Sequence, residues 1–317
     1  MIKNVLQLLL LTCGVFFFVA CDEKKVEFNI NEDSEKSDHC FALVKIGDLD
    51  NCKWGYVDKF GKFVIKPQFD FAYGFNEGYA AVYVDGRWGF IDQNGQYIIN
   101  PQFSYAFWFS DGLAAVEQDG KFGFIDQNGQ FVINSQFDFA YPFSEGLAAV
   151  NIGDKWGFID KSCQYIINPQ FEDARFFDDG LAPVKMDGKW GYIDKKGQIL
   201  INPKFELASK FSEGLATVML CNRYGYIDNT GQYVINPQFD NASGFTEGLS
   251  AVEIDGKYGF IDKSGQFIIR PQYYYAGNFS DGLAVVKIGE KSGYIDKSGK
   301  VVISPQFDEA LGFSKIE

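Results

Sequence analysis

Histidine is nearly missing from this sequence: His39 is the only one among 317 residues. A histidine-assisted nucleophile would have to draw on a residue at the edge of a polar leader, and a zinc centre would lack ligands. Cations are outnumbered, with 29 Lys and Arg against 42 Asp and Glu and a formal charge of −13. An acidic body repels phosphate backbones, which argues against nucleic acid as a partner. No glycine-rich phosphate loop or dinucleotide fingerprint follows a strand pattern, and the acidic residues lack the spacing of a calcium loop. No metal and no cofactor is expected. Long apolar runs are absent outside the first twenty residues.

Those first twenty residues read as a targeting segment. Lys3 is their only charge, Val5 to Val19 is a short apolar run, and Phe18-Val19-Ala20-Cys21 follows. A small residue before the cut fits export, and the run is short for a spanning helix. The position of Cys21 resembles a bacterial lipobox, which makes Cys21 the expected lipid attachment residue. Residues 1–20 are then a signal peptide, and 21–40 are a lipid-anchored flexible tether rich in charge. Residues 41–317 form the repeat domain. The expected address is an exported, membrane-anchored lipoprotein of the bacterial cell envelope. Its alternative is ordinary secretion with an unmodified Cys21.

What the chain has in abundance is an aromatic–glycine pair every 34 residues. It occurs as Trp54-Gly55, Trp88-Gly89, Phe122-Gly123, Trp156-Gly157, Trp190-Gly191, Tyr224-Gly225, Tyr258-Gly259 and the degenerate Ser292-Gly293. A fixed period of this length marks a solenoid, propeller or array. Within the unit 112–145, Leu113–Glu117 and Phe122–Asp126 read as strands joined at Asp119-Gly120, a two-residue hairpin signal. Asp126-Gln-Asn-Gly129 reads as a turn and Gln130–Asn134 as a third strand. Phe137 to Gly146 reads as a packed connection. The expected fold is an all-β repeat protein of eight 34-residue three-stranded units. A closed propeller-like ring is favoured, and an open β-hairpin solenoid is the alternative. Glycine beside the aromatic points to close approach of a neighbouring backbone or ring.

These motifs resemble the WG repeat family of bacterial proteins, most closely in Gly180 to Phe211, GLAPVKMDGKWGYIDKKGQILINPKFELASKF. The resemblance implies a repeat β-protein, often exported, and brings no catalytic residues with it. Cys163 at a turn glycine, Ser135 at a proline, Cys221-Asn222 at Asp-Gly and Ser292 at the aromatic depart from the pattern.

An aspartate follows each aromatic position by four residues, from Asp58 to Asp296. Paired carboxylates could hydrolyse glycosidic bonds, but a turn-opening Asp bonds its own backbone. A second acidic series, Glu77, Asp111, Glu145, Asp179, Glu213, Glu247 and Asp281, precedes a loop glycine and reads as turn chemistry too. Cys40 and Cys52 flank the first, expanded hairpin and are the expected disulfide. Positions that vary between copies are the candidates for recognition. Trp108, Arg175 and the run Tyr273, Tyr274, Tyr275 are the chosen contacts, because Trp, Tyr and Arg dominate hot spots; extra packing is the competing role. The expected function is a cell-envelope scaffold that binds a protein or a glycan without catalysis. A carboxylate-dependent envelope glycan hydrolase and a purely structural component are its alternatives.

Overall fold

The computed structural model describes residues 40–47 and 52–315; Cys21, the leader and the expected tether up to residue 39 lie outside these, while Cys40, expected to end the tether, opens the strand Cys40–Ile46. The described residues form eight four-stranded antiparallel sheets, arranged as the blades of a ring. The third blade is typical, with strands Tyr105–Ser110, Leu113–Gln118, Lys121–Ile125 and Phe131–Phe137, paired in chain order. Residues in or just past the first strands of successive blades touch one another, as in Tyr73–Trp108 (5.5 Å) and Tyr141–Phe176 (5.0 Å). Fourth strands expose alternate residues such as Val132 and Ile166. The first strand therefore lines the inside of the ring and the fourth forms its rim.

The three-stranded expectation is corrected to four. The segment read as a connection holds a short innermost strand, Phe139–Ala140 in blade four, closed by a bridge between Ser144 and Leu147. A bulge conceals it: in blade three, Ala106 pairs with Val116 and Phe109 with Ala114, so three steps on one strand oppose two on the other. Apolar residues therefore recur at a spacing of three and the period-two signal is lost. Thirty-four residues suffice because connections are minimal. One residue, such as Ser104 or Asp138, separates a fourth strand from the next first strand. Both other hairpins turn in two residues with positive φ, Asp111-Gly112 (54°, 81°) and Asp119-Gly120 (54°, 78°), the geometry that matches strand twist.

The repeated glycine has a steric cause. Trp190 pairs with Phe205 and Tyr192 with Ile201, so Gly191 faces the bulge Asn202-Pro203-Lys204. A Cβ on Gly191 would lie 2.5 Å from Ile201 O and 2.7 Å from Pro203 N. Proline suits the bulge, where no ladder N–H is lost. The close approach foreseen beside the aromatic is thus that of the blade's own fourth strand.

Blades are fastened to one another by repeated contacts. Turn glycines sit on an isoleucine of the preceding blade, as Gly129 does on Ile99 at 3.4 Å for an added Cβ. The buried Tyr56, Tyr192 and Tyr294 donate to the carbonyls of Tyr73, Ser209 and Leu311 in the next blade at 2.7–2.8 Å. Closure uses the same parts. Residues 309–315 supply the first strand of blade one and pair with Cys40–Ile46, Gly61 packs on Ile303, and Ser314 Oγ accepts the Phe75 N–H at 2.9 Å. The chain is a closed ring, not an open solenoid.

The Cys40–Cys52 bridge is a second correction. Register pairs Ile46 with Lys53 and Cys40 with Lys315, so Cys52 lies at the turn end and Cys40 at the far end of the same strand. Six strand steps separate those ends by ~20 Å, against the ~7 Å Cα limit for a disulfide. Cys52 Sγ instead donates to Gly47 O at 3.1 Å. Cys163 keeps the left-handed φ (65°) of the glycine it replaces.

Two neighbouring glycines separate the constraints. Gly191→Ala collides with backbone and should cost about 3 kcal/mol. Gly188→Ala, at φ 73° with nothing within 4 Å, should cost only about 1–2 kcal/mol for its left-handed backbone. Cys163→Gly should add about 0.5–1 kcal/mol by removing the same penalty. Urea unfolding midpoints of the three variants check this order.

Candidate axial binding face

The turn-opening aspartates, and the second acidic series from Glu77 to Glu247, accept backbone N–H groups. Asp126 Oδ1 accepts the N–H groups of Asn128 and Gln130 at 2.9 Å, and the arrangement recurs from Asp58 to Asp296. Hydroxyls of Ser162, Thr230, Ser264 and Ser298 hold Asp160, Asp228, Asp262 and Asp296 below the usual carboxylate range, and the Gln130 N–H does the same for Asp126. The second series, expected to serve local turns, also staples blades together. Glu77 accepts the Gly112 N–H at 3.0 Å, Asp111 that of Gly146 at 2.7 Å, and Glu145 that of Gly180 at 3.1 Å, each from the next blade. The series continues through Asp179, Glu213 and Glu247. Lys195, Lys263 and Lys297 cap Glu145, Glu213 and Glu247 at 3.0–3.1 Å.

At the opposite end of the blades, where the Asp119-Gly120 type of turn lies, side chains form a belt. The third-strand aromatic of one blade meets the first-strand residue of the next: Trp54 and Phe71 at 5.7 Å, Trp88 and Tyr105 at 5.5 Å, Phe122 and Phe139 at 4.8 Å. Phe71–Trp88 and Phe139–Trp156 continue it within a blade at 5.9 and 5.7 Å. In sequence the belt has half the repeat period. Positions 54, 71, 88, 105, 122, 139 and 156 are all aromatic, and 173, 190, 207, 224, 241, 258, 275, 292 and 309 are Asp, Trp, Leu, Tyr, Asn, Tyr, Tyr, Ser and Glu.

A second layer covers only part of the belt. Tyr73 stacks on Trp88 (5.2 Å, 17°), Tyr141 stacks on Trp156 (5.3 Å, 23°), and the Arg175 guanidinium lies 4.8 Å above Trp190. The equivalent residues in blades six to eight are Ser209, Ser243 and Gly277. Trp88, Phe122 and Trp190 are 3–4% exposed; Tyr224 and Tyr258 are half-buried, as is Trp156 beneath Tyr141, and Tyr275 is half-buried like Phe71 and Phe139 at the same strand position.

The chosen contact residues divide accordingly. Trp108 sits in the covered sector, half-buried, edge-on to Tyr73 and Phe107. Arg175 marks its end, and its buried Nε has no hydrogen-bond partner. Burial raises the pKa of neighbouring Asp173, partly offset by the Arg175 and Lys185 charges. The tyrosine run splits three ways. Tyr273 is buried at a position that is phenylalanine in the other blades. Tyr274 is 62% exposed under the Lys257 ammonium at 3.1 Å, and Tyr275 faces Tyr258 at 6.0 Å. Tyr224, Tyr258, Asn241 and Glu253 were missed; the 17-residue half-period would have found the first three. Each lies on a strand whose role as framework masked its variation.

The model of the WG containing repeat matches residues 54–88, 88–122, 122–156, 156–190, 190–222, 224–258, 258–291 and 293–315. The chain belongs to the WG-repeat family. In fold this WG-repeat protein is similar to the dihydro-heme d1 dehydrogenase NirN in complex with DHE, with a TM-score of 0.60 and 10% identity over 92% of this chain and 78% of that one. It is also similar to Kluyveromyces lactis Hsv2p, with a TM-score of 0.50 and 10% identity over 78% and 99%. At such identities the likeness concerns the fold alone. No curated protein sequence matches the chain.

The carboxylates set a pH dependence. Their folded pKa values lie below the unfolded value of ~3.9 for Asp, so their contribution is complete above that value and is lost as pH falls through the folded ones. Thermal melting points should be level between about pH 5 and 7 and drop below about pH 4, as differential scanning calorimetry across a pH series would record.

Proposed function

We propose that this WG-repeat protein is a non-catalytic binding scaffold of the bacterial cell envelope, held to the membrane by a lipid on Cys21, with its ligand seat on the belt face. One observation carries the reading: eight copies of one backbone bear an unevenly dressed face, with a second layer of aromatic rings in blades two to four, Arg175 in blade five, and Ser209, Ser243 and Gly277 in blades six to eight. Framework residues repeat all the way round a ring because packing repeats; a face that departs from the repeat on one side is a place for recognition. The unpartnered Arg175 Nε at the boundary supports this, since a bound acceptor would satisfy it. The engagement of the turn carboxylates by backbone N–H groups favours binding over hydrolysis.

Envelope extracts and a glycan array probed with the purified protein should yield a ligand whose retention falls about tenfold, or ~1.4 kcal/mol, in Arg175→Ala or Trp108→Ala. Retention should be unchanged in Asp296→Asn. Turnover of an envelope glycan abolished by a single Asp→Asn change would overturn the reading. Separately, labelled palmitate should enter the wild type and not Cys21→Ala, which should leave the membrane fraction.

A further inference from the structure

The uncovered sector has its own chemistry. Asn241, Glu253 and Tyr258 are paired directly across three strands of blade seven, which sets an amide, a carboxylate and a phenol side by side. Asn241 Nδ2 donates to Tyr258 Oη at 2.9 Å. Burial, reinforced by the Glu253 charge and hydrogen bond, pushes the Tyr258 phenol well above its ordinary value. Tyr275 of blade eight stands 6.0 Å away with its ring tilted 56°, and Tyr224 flanks on the other side in blade six, where Arg175 acts on it electrostatically. Ser209, Ser243 and Gly277 stand where blades two to four carry the covering aromatics, and Tyr224, Tyr258 and Tyr275 are partly exposed.

We infer that this notch, built on Tyr224, Asn241, Glu253, Tyr258 and Tyr275, binds a neutral sugar unit of a glycan chain. The inference rests on the binding-scaffold reading and names the ligand of that face. Three features select the class. Partly exposed tyrosine rings, two of them tilted to one another, offer apolar faces to the C–H side of a pyranose and hydroxyls at their edges. The adjacent amide and carboxylate supply both donor and acceptor capacity for neighbouring hydroxyls, an arrangement typical of sites with a few convergent polar groups. Glu253, Asp255 of the next turn and a chain charge of −13 disfavour a phosphate or an acidic sugar. A folded protein partner fits less well, since a specific interface covers about 800 Å² per side and the aromatic surface of blades two to four is already covered by its own second layer.

Isothermal titration of the full chain with neutral tri- and tetrasaccharides of glucose, mannose and N-acetylglucosamine tests the assignment, with a uronic-acid trisaccharide as the charged comparison. At least one neutral probe should bind and the charged one should not. Tyr258→Ala and Asn241→Ala should each weaken binding about tenfold. Tyr258→Phe, which keeps the ring and packing, should weaken it about threefold through the lost hydroxyl. Asp296→Asn, in a turn at the opposite end of a blade, should leave it within about twofold. Absence of binding by every neutral probe, or binding indifferent to both Tyr258→Ala and Tyr258→Phe, would overturn the inference. An envelope ligand that is retained through Trp108 and Arg175 while no sugar binds would sink this inference alone and leave the scaffold reading standing.

Discussion

The pairing of Cys40–Ile46 with residues 309–315 brings the two ends of the repeat into one sheet, and every other blade depends on that join. A three- or four-stranded unit of 34 residues cannot bury both of its faces by itself; each face is covered by the next unit. In an open array the terminal units would need polar caps. Here the seam reuses the contacts of every other junction: Gly61 on Ile303, Tyr294 donating to Leu311, and Lys45 paired with Glu309 at 3.2 Å. Closure and repetition are therefore one constraint, since any blade that altered its junction would have to be matched by its neighbour.

Within a blade the tightest demand is the crossing of the fourth strand over the repeated glycine. The backbone at Pro203 comes so near Gly191 that no Cβ fits, and a two-residue bulge on the rim strand is the result. This is a local steric reason for glycine, distinct from the turn glycines, which are needed for positive φ. Three acidic series then secure the frame. One organises the rim turns, one staples inner turns between blades, and a third between blades joins a third-strand cation, as Asp138 does Lys121. Ser104 and Tyr274 break the third series, and at Tyr274 a lysine covers a ring in place of a carboxylate. An acidic chain of this kind carries its charge as structure.

Much of this was legible beforehand. The hairpins at Asp119-Gly120, the turn at Asp126 and the eightfold repeat follow from short-range rules, because two-residue turns and Asx turns are decided by the residues in them. The innermost strand was not legible, since a bulge spaces Ala140 and Phe143 by three and erases alternation. Nor was the partner of Glu77, since the N–H it accepts lies 35 residues on in a different blade. On the candidate face, Trp108 and Arg175 stand out in the sequence as departures from the repeat, whereas Tyr275 keeps the aromatic character of Phe71, Tyr105 and Phe139. Tyr273 has the same composition signal but packs as a buried framework ring, and only its strand position reveals this.

From the sequence alone came the period, the all-β character, the number of units and the turn chemistry, because each is written in residues that interact within a few positions of one another. The tertiary structure decided closure, the fourth strand, the inter-blade use of the acids and the absence of a Cys40–Cys52 bridge. Each of these depends on which distant residues become neighbours. The aromatic–glycine pulse belongs to both: its spacing is a fact of sequence, but only the ring shows that half-repeats alternate into one belt, and that three small residues uncover it on one side.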